Sequence, residues 1–278
     1  SLRIGYHVRR CRSRRSCNLR KVLNLSRRFF IQFSYDGTAY HGWQRQENAL
    51  SVQEVLEAAL SKILNANTLT TGQGRTDTGV HALQCFAHFD WEQELPEGIV
   101  KRLNRILPED IAVQAVFEVP PMAHARYTAS ARSYTYRMHF IKDPFINRYS
   151  TFLHQIPDAA KIQAALPYLL READFGCFAR TGGGNVTNRC HVFKVSWEQI
   201  DNRQAEFKVT ADRFLRNMVR AMVGSLLDIG YGKKEAAWME ELILTGDRSA
   251  AGQSVAAEGL SLEQVHYPDW VFSRRLYA

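Results

Sequence analysis

The stretch Gly74-Arg75-Thr76-Asp77-Thr78-Gly79-Val80-His81-Ala82 holds the residue types best suited to chemistry. Two glycines bracket a guanidinium and a carboxylate two positions apart, a spacing that puts both side chains on one side of an extended turn. A carboxylate so held can act as a nucleophile or a base beside a cation. The same residues also make an ordinary tight turn, with Asp77 capping a backbone N–H and Arg75 a solvated charge, and that is the commoner fate of an R-T-D sequence. Other candidates are thinner. Thr181-Gly182-Gly183-Gly184-Asn185 is the densest glycine run, but it lacks the Lys-Ser/Thr of a phosphate loop and a following helix, so a flexible loop is expected there. Cys11, Cys17, Cys85, Cys177 and Cys190 are odd in number and form no C-x-x-C, which argues against a disulfide framework or zinc site and for a reducing compartment. His81 and His88, seven apart in an alternating segment, would point to opposite faces of a strand, so no metal site is expected.

The Asp77 loop has company along the chain. Tyr35-Asp36-Gly37-Thr38-x-Tyr40-x-Gly42-Trp43-Gln44-x-Gln46 precedes it, followed by Ser51-Val52-Gln53-Glu54. After it come His124-Ala125-Arg126, Ala131-Arg132-x-Tyr134-x-Tyr136, Asn217-Met218-Val219-Arg220-x-Met222-Val223-Gly224 and Ala257-Glu258-Gly259-Leu260. In this order the segments resemble the motifs of the pseudouridine synthases of the tRNA pseudouridine synthase A (TruA) type, from about residue 29 to about residue 270. Thr78, where Ala is more usual, is a small departure that touches only local packing.

The resemblance implies an isomerase that converts uridine to pseudouridine on the 3′ side of the anticodon stem-loop of tRNA. The N1–C1′ bond breaks, the uracil turns and C5 joins the same sugar carbon, which calls for no cofactor, redox partner or metal. The family assigns the central role to Asp77, by covalent addition or by removal of a sugar proton, and pairs it with Arg220. The apolar neighbours Met218, Val219, Met222 and Val223 suggest that this part of the helix is buried, which weighs against Arg220 being a plain exposed helix charge. Tyr134 corresponds to the tyrosine that stacks on the target base and helps remove the C5 proton, although a strand tyrosine more often packs in a core; Tyr136, on the same face by alternation, shares that ambiguity. Arg75 is expected to contact RNA near the target and help extrude the base. His41, Gln44, Arg45 and Gln46 form a polar loop that is either an RNA contact or ordinary surface. The resemblance also implies a homodimer in which one tRNA touches both subunits. The rival reading is a noncatalytic RNA-binding or remodelling protein on the same fold, or a synthase for other uridines. Asp77, Arg220 and Tyr134 together disfavour a pure binder.

The elements that must position these residues are legible from pattern. Strands are expected at 28–35, 82–91, 111–118, 133–141, 191–200, 204–210 and 260–267. Helices are expected from the Ser51-x-x-Glu54 capping box to about Asn65, over 98–107 before Pro108, and over 158–171, 214–230 and 238–244. This mixture suggests an α/β (α+β) fold with mainly antiparallel sheets; the Lys142-Asp143-Pro144 turn is the expected boundary between 29–142 and 143–278, and the resemblance implies two similar halves around a central RNA-binding cleft.

Composition sets the outer bounds. The 278 residues carry a formal charge of +8, with 45% hydrophobic and 23% charged residues, near the globular average. Ten of the 36 basic residues lie within 1–28 with no acid, so the other 250 residues hold 26 basic against 28 acidic side chains. A polyanion must therefore be bound through a local basic cleft. The 1–28 segment is read as a disordered leader, preferably sequence upstream of the true start, otherwise an RNA arm or an organelle presequence. The expected location is the cytoplasm, or an organelle on the presequence reading, with no membrane association, since no apolar run approaches a bilayer span.

Overall fold

The computed structural model describes residues 26–180, 182, 186–274 and 276–277; the first 25 residues and most of the 181–185 glycine run, whose expectations rest there, lie outside the described residues. In chain order the elements are β1 (Arg27–Tyr35), α1 (Val52–Leu64), β2 (Thr71–Gly72), β3 (His81–Trp91), α2 (Ile99–Ile106), β4 (Ile111–Val119), β5 (Ala131–His139) and β6 (Thr151–Phe152). There follow α3 (Ala159–Ala165), β7 (Glu172–Asp174), β8 (Arg189–Gln199), β9 (Gln204–Ala211), α4 (Met218–Gly230), α5 (Trp238–Thr245), β10 (Leu260–His266) and β11 (Leu276–Tyr277).

The strands form one eleven-stranded sheet in the order β11-β4-β1-β3-β10-β5-β9-β8-β7, with β2 added to β3 and β6 to β5. Pairing is antiparallel except β3 with β10 and β5 with β6, as expected for an α+β fold with mainly antiparallel strands. The sheet does not divide at residue 142. β5 lies before that turn, yet it pairs with β9 from Arg132↔Ala211 to His139↔Gln204, and β11 returns to pair with β4. The seam between the two parts is instead the short parallel pairing of His81 and Ala82 with Ser261 and Leu262. Strand order is fixed by hydrogen bonding between distant segments, which a turn signal at Lys142-Asp143-Pro144 does not report.

Several boundaries follow from local chemistry. Ser51 caps α1 by accepting from Glu54 N at 3.3 Å, and Asn65, at φ 53°, ends it. Arg27 and Arg28 belong to β1 and not to the leader: Arg27 bonds Glu118 at 3.2 Å and Glu94 at 2.8 Å, and Arg28 bonds Asp90 at 2.7 Å, so cross-strand carboxylates draw both into the sheet. The helix expected over 158–171 stops at Ala165, because Pro167 brings no N–H and the chain tightens into a single turn over Leu166–Leu169. The helix expected from Phe214 begins at Met218, since Asn217 sits at φ +68° and breaks the turn before it.

β1 is buried on both faces, with Phe29, Phe30, Ile31 and Phe33 all inaccessible; Phe29 stacks on Phe89 at 5.5 Å while Phe30 meets Tyr267 at 5.4 Å. β5 and β9 are one-sided. Tyr134, Tyr136, Met138, Phe207 and Val209 are buried on one face, and the other carries Arg137 bonded to Glu206 at 3.0 Å and Glu263 at 2.7 Å, with Lys208 at 2.6 Å from Glu198.

α4 is gripped by the segment 252–255. Gly252 N donates to Ser225 Oγ at 2.9 Å, Asn217 Nδ2 to Ser254 Oγ at 2.6 Å, and Val255 N to the Arg220 carbonyl at 3.2 Å. The approach needs a glycine at 224, where a Cβ would lie 1.8 Å from the Gln253 oxygen. Gly224→Ala is expected to lower stability by about 1–3 kcal/mol or more, measured as a lower urea midpoint. Gly74→Ala, whose Cβ meets nothing within 4 Å, should leave the midpoint in place. Equal midpoints for the two variants would refute the grip.

Candidate active site

The Asp77 loop is the tip of a hairpin. β2 pairs Thr71 and Gly72 with His88 and Ala87 of β3, and Gln73 N adds a bond to the Phe86 carbonyl at 2.8 Å before the chain leaves the sheet. It returns at His81. Between these points the backbone is held by the segment that follows β1. Trp43 N donates to Thr76 O at 3.4 Å, Gly79 N to Tyr40 O at 3.3 Å, and Tyr35 Oη lies 2.8 Å from Thr76 Oγ1. Gly42, at φ +87°, comes so close that a Cβ would stand 2.3 Å from the Thr76 oxygen. The far end is fixed by His81, whose Nδ1 lies 3.1 Å from both Gly37 N and Asp36 Oδ1, and whose Nε2 lies 3.1 Å from the Glu258 carbonyl. Burial holds this imidazole below its usual range, so it is neutral near pH 7, with Nε2–H donating to Glu258 and Nδ1 accepting from Gly37.

Asp77 therefore needs few bonds of its own. Its side chain is 22% exposed, and among the described residues its one ion pair is with Arg216, whose Nε lies 3.4 Å from Oδ1 and whose side chain is 53% exposed. Arg216 reaches it from the 212–217 turn, the segment that Asn217 keeps out of α4. Phe214 of the same turn meets the Tyr134 ring edge-on at 5.0 Å. Tyr134 is only 8% exposed, and its hydroxyl has no hydrogen-bond partner among the described residues. Burial, then the Cys85 thiol and more weakly the Asp77 charge, push this phenol above its ordinary range, with Arg132 opposing. Tyr134 is accordingly neutral at physiological pH. Its hydroxyl can relay a proton or donate a hydrogen bond, whereas a standing phenolate base is unavailable.

The remaining sequence candidates scatter. Arg75 is exposed on the loop. Arg220 does not pair with Asp77 in this structure: its Nε donates to the Val255 carbonyl at 2.7 Å, because the 252–255 segment lies alongside α4 and takes the guanidinium. Tyr136 is fully buried, with its hydroxyl 2.7 Å from Thr151 Oγ1 and donating to Ala256 O at 2.9 Å, which makes it a core residue. His41, Gln44, Arg45 and Gln46 are exposed beside the loop, but Arg45 lies 3.5 Å from Glu57 and 3.8 Å from Glu54, and Gln46 donates to the His41 carbonyl at 2.9 Å. Arg216 and Phe214 escape a sequence reading because the apolar pattern of α4 runs smoothly back through them. Asn217 was the available signal, as a residue that tolerates positive φ.

Among the described residues no three His, Cys, Asp or Glu side chains gather as metal ligands, and no helix is long and apolar enough to cross a membrane. Cys85, Cys177 and Cys190 are buried and unbridged. A family model described as tRNA pseudouridine synthase matches residues 31–128 and 165–268, which include the Asp77 loop, α4 and β10. Curated proteins named tRNA pseudouridine synthase A are similar over nearly their whole length. That of Bacteroides fragilis is 42% identical over 88% of this chain and 98% of its own, and that of Aeromonas salmonicida 39% identical over 87% and 90%. That of Ruminiclostridium cellulolyticum is 35% identical over 87% of this chain and all of its own. With a matched model spanning more than half of the chain, and with these identities, the chain belongs to the tRNA pseudouridine synthase family.

Proposed function

We propose that the protein isomerises uridine to pseudouridine on the 3′ side of the anticodon stem-loop of tRNA, with Asp77 as the reacting carboxylate. The observation that carries this reading is a partly exposed aspartate on a backbone-clamped loop, ion-paired to an arginine and next to the turn that packs on a buried tyrosine. In the reaction the N1–C1′ bond breaks, a C5–C1′ bond forms, the C5 proton leaves and N1 gains a proton, so nothing is oxidised and no group is lost. An ionised Asp77 serves either route: addition to the substrate, or removal of a sugar proton before the base returns. Arg216, 3.4 Å from that carboxylate, helps to orient it. Tyr134 lies under the departing base and supplies an uncommitted hydroxyl for the C5 proton. Arg75, exposed two residues from Asp77, is suited to holding the RNA strand as the base leaves its stack. In this reading two copies of the chain share one tRNA, since a body of 26 basic and 28 acidic residues gains from pooling its exposed arginines.

Asp77→Asn separates this enzyme from a binder on the same fold. The amide keeps the shape and a turn-capping bond but is neither base nor nucleophile. The variant should melt with wild type and bind an anticodon-arm transcript at least as tightly, yet release no tritium from uridine labelled at C5 even at enzyme levels matching the RNA. Turnover above a trace would defeat the assignment.

The two arginines divide differently. Arg216→Ala removes a half-exposed pair, so stability should change by no more than about 1 kcal/mol while the single-turnover rate falls. Arg220→Ala strips the bond to Val255 and should lower the melting temperature and the rate together. Should Arg220→Ala slow turnover with no loss of stability, and Arg216→Ala do nothing, Arg220 is the partner of Asp77 once RNA is bound.

A further inference from the structure

The most heavily bonded side chain around the site belongs to Arg132, which touches neither Asp77 nor solvent to any extent. It is 9% exposed, and each of its five N–H groups has its own acceptor. Nε donates to Gln73 Oε1 at 3.3 Å; one terminal nitrogen donates to Ala129 O at 3.1 Å and Asp212 O at 2.8 Å; the other donates to Gln73 O at 3.0 Å and Arg126 O at 2.6 Å. None of these is a carboxylate oxygen, so among the described residues the charge has no ion-pair partner. Burying an uncompensated cation is costly, and an apolar side chain of similar length would fill the space without that cost. What an apolar residue could not do is hold the five oxygens in a fixed relation.

Those oxygens belong to three separate segments that meet at the site. Gln73 is where the Asp77 loop leaves β2. Arg126 and Ala129 lie in the turn entering β5, the strand of Tyr134. Asp212 opens the turn that brings Phe214 to Tyr134 and Arg216 to Asp77. We infer that Arg132 is a positioning residue for the reaction, its planar fork setting the register between the Asp77 loop and the turn that carries Arg216 and Phe214. The inference rests on Asp77 being the reacting carboxylate. Lysine is no substitute, because its three donors radiate from a single atom and cannot reach acceptors on both edges of a planar group.

The test uses the full chain, an anticodon-arm transcript labelled at C5, and separate measurements of melting, RNA affinity and single-turnover rate. Arg132→Lys and Arg132→Met should both lose about 100-fold in rate, the scale of a misplacement near 1 Å, with RNA affinity within about threefold of wild type. Methylguanidinium added to Arg132→Ala should restore part of the rate without changing affinity, and should do nothing for Asp77→Asn. A wild-type rate in Arg132→Lys overturns the inference, as does a loss confined to affinity. If the Arg132 variants do not fold, Gln73→Leu, which removes a single acceptor, should be slowed by about tenfold at unchanged affinity, and a wild-type rate there overturns it equally. Residual turnover in Asp77→Asn would remove the underlying reading instead, and is scored independently of the Arg132 rates.

Discussion

In the proposed reaction Asp77 has to keep its lone pairs free, so it cannot be fixed by the bonds that would hold a structural aspartate. Among the described residues Asp77 has a single long ion pair, and its position comes from the backbone on either side of it. That backbone has little regular structure and is pinned from outside: by Tyr40 and Trp43 on one flank, by the neutral His81 between Gly37 and Glu258, and by the Arg132 fork under Gln73. Each pin lies on a different part of the chain, and each is a backbone contact or a bond to a carbonyl. A contact of that kind tolerates few side-chain types, which is why Gly42 must lack a Cβ where it meets Thr76.

The sheet exists to bring those distant parts together. β10 enters between β3 and β5, parallel to the first and antiparallel to the second, and so sets Glu258 and Ala257 against the end of the Asp77 loop. The chain closes this arrangement late, since β10 comes nearly 180 residues after the strand it joins, and contacts of such separation are slow to form. The parts brought together are unequal in burial. β1 is covered on both faces, as its unbroken Phe-Phe-Ile run requires, while β5 and β9 alternate and leave a ladder of arginine, lysine and glutamate open on one side.

What the sequence made legible was local. The N-cap at Ser51 and the stop at Pro108 rest on bonds between near neighbours and stand where the pattern puts them; the alternating strands stand there too, because alternation is local even though their ladders join distant segments. What stayed hidden depends on remote partners. The parallel seam at Ser261 has no local signature; Arg27 looks like leader until Glu118 comes alongside; and the sheet runs on past the turn at 142 because β5 pairs with β9. The site divides in the same way. Asp77, Arg75 and Tyr134 are named by motif, but the 212–217 turn is disguised by an apolar period that continues through it, and Arg132, though it stands in the same motif as Tyr134, shows no role until its five acceptors are seen.

Exposure separates the arginines around Asp77 into two kinds, and the difference bears on how a carboxylate tolerates a polyanion beside it. Arg216 is half exposed, so its charge is screened by salt, is cheap to reorient, and is free to be shared between Asp77 and an incoming phosphate. Arg132 is sealed, with every donor committed to a protein oxygen, so it has no donor to give an incoming phosphate. A site built from exposed arginines alone would change shape with each ligand, and one built from buried arginines alone would offer nothing to a phosphate. Placing the constant cation beneath the loop and the adaptable one above it lets the backbone around Asp77 stay fixed while the surface charge answers to the substrate.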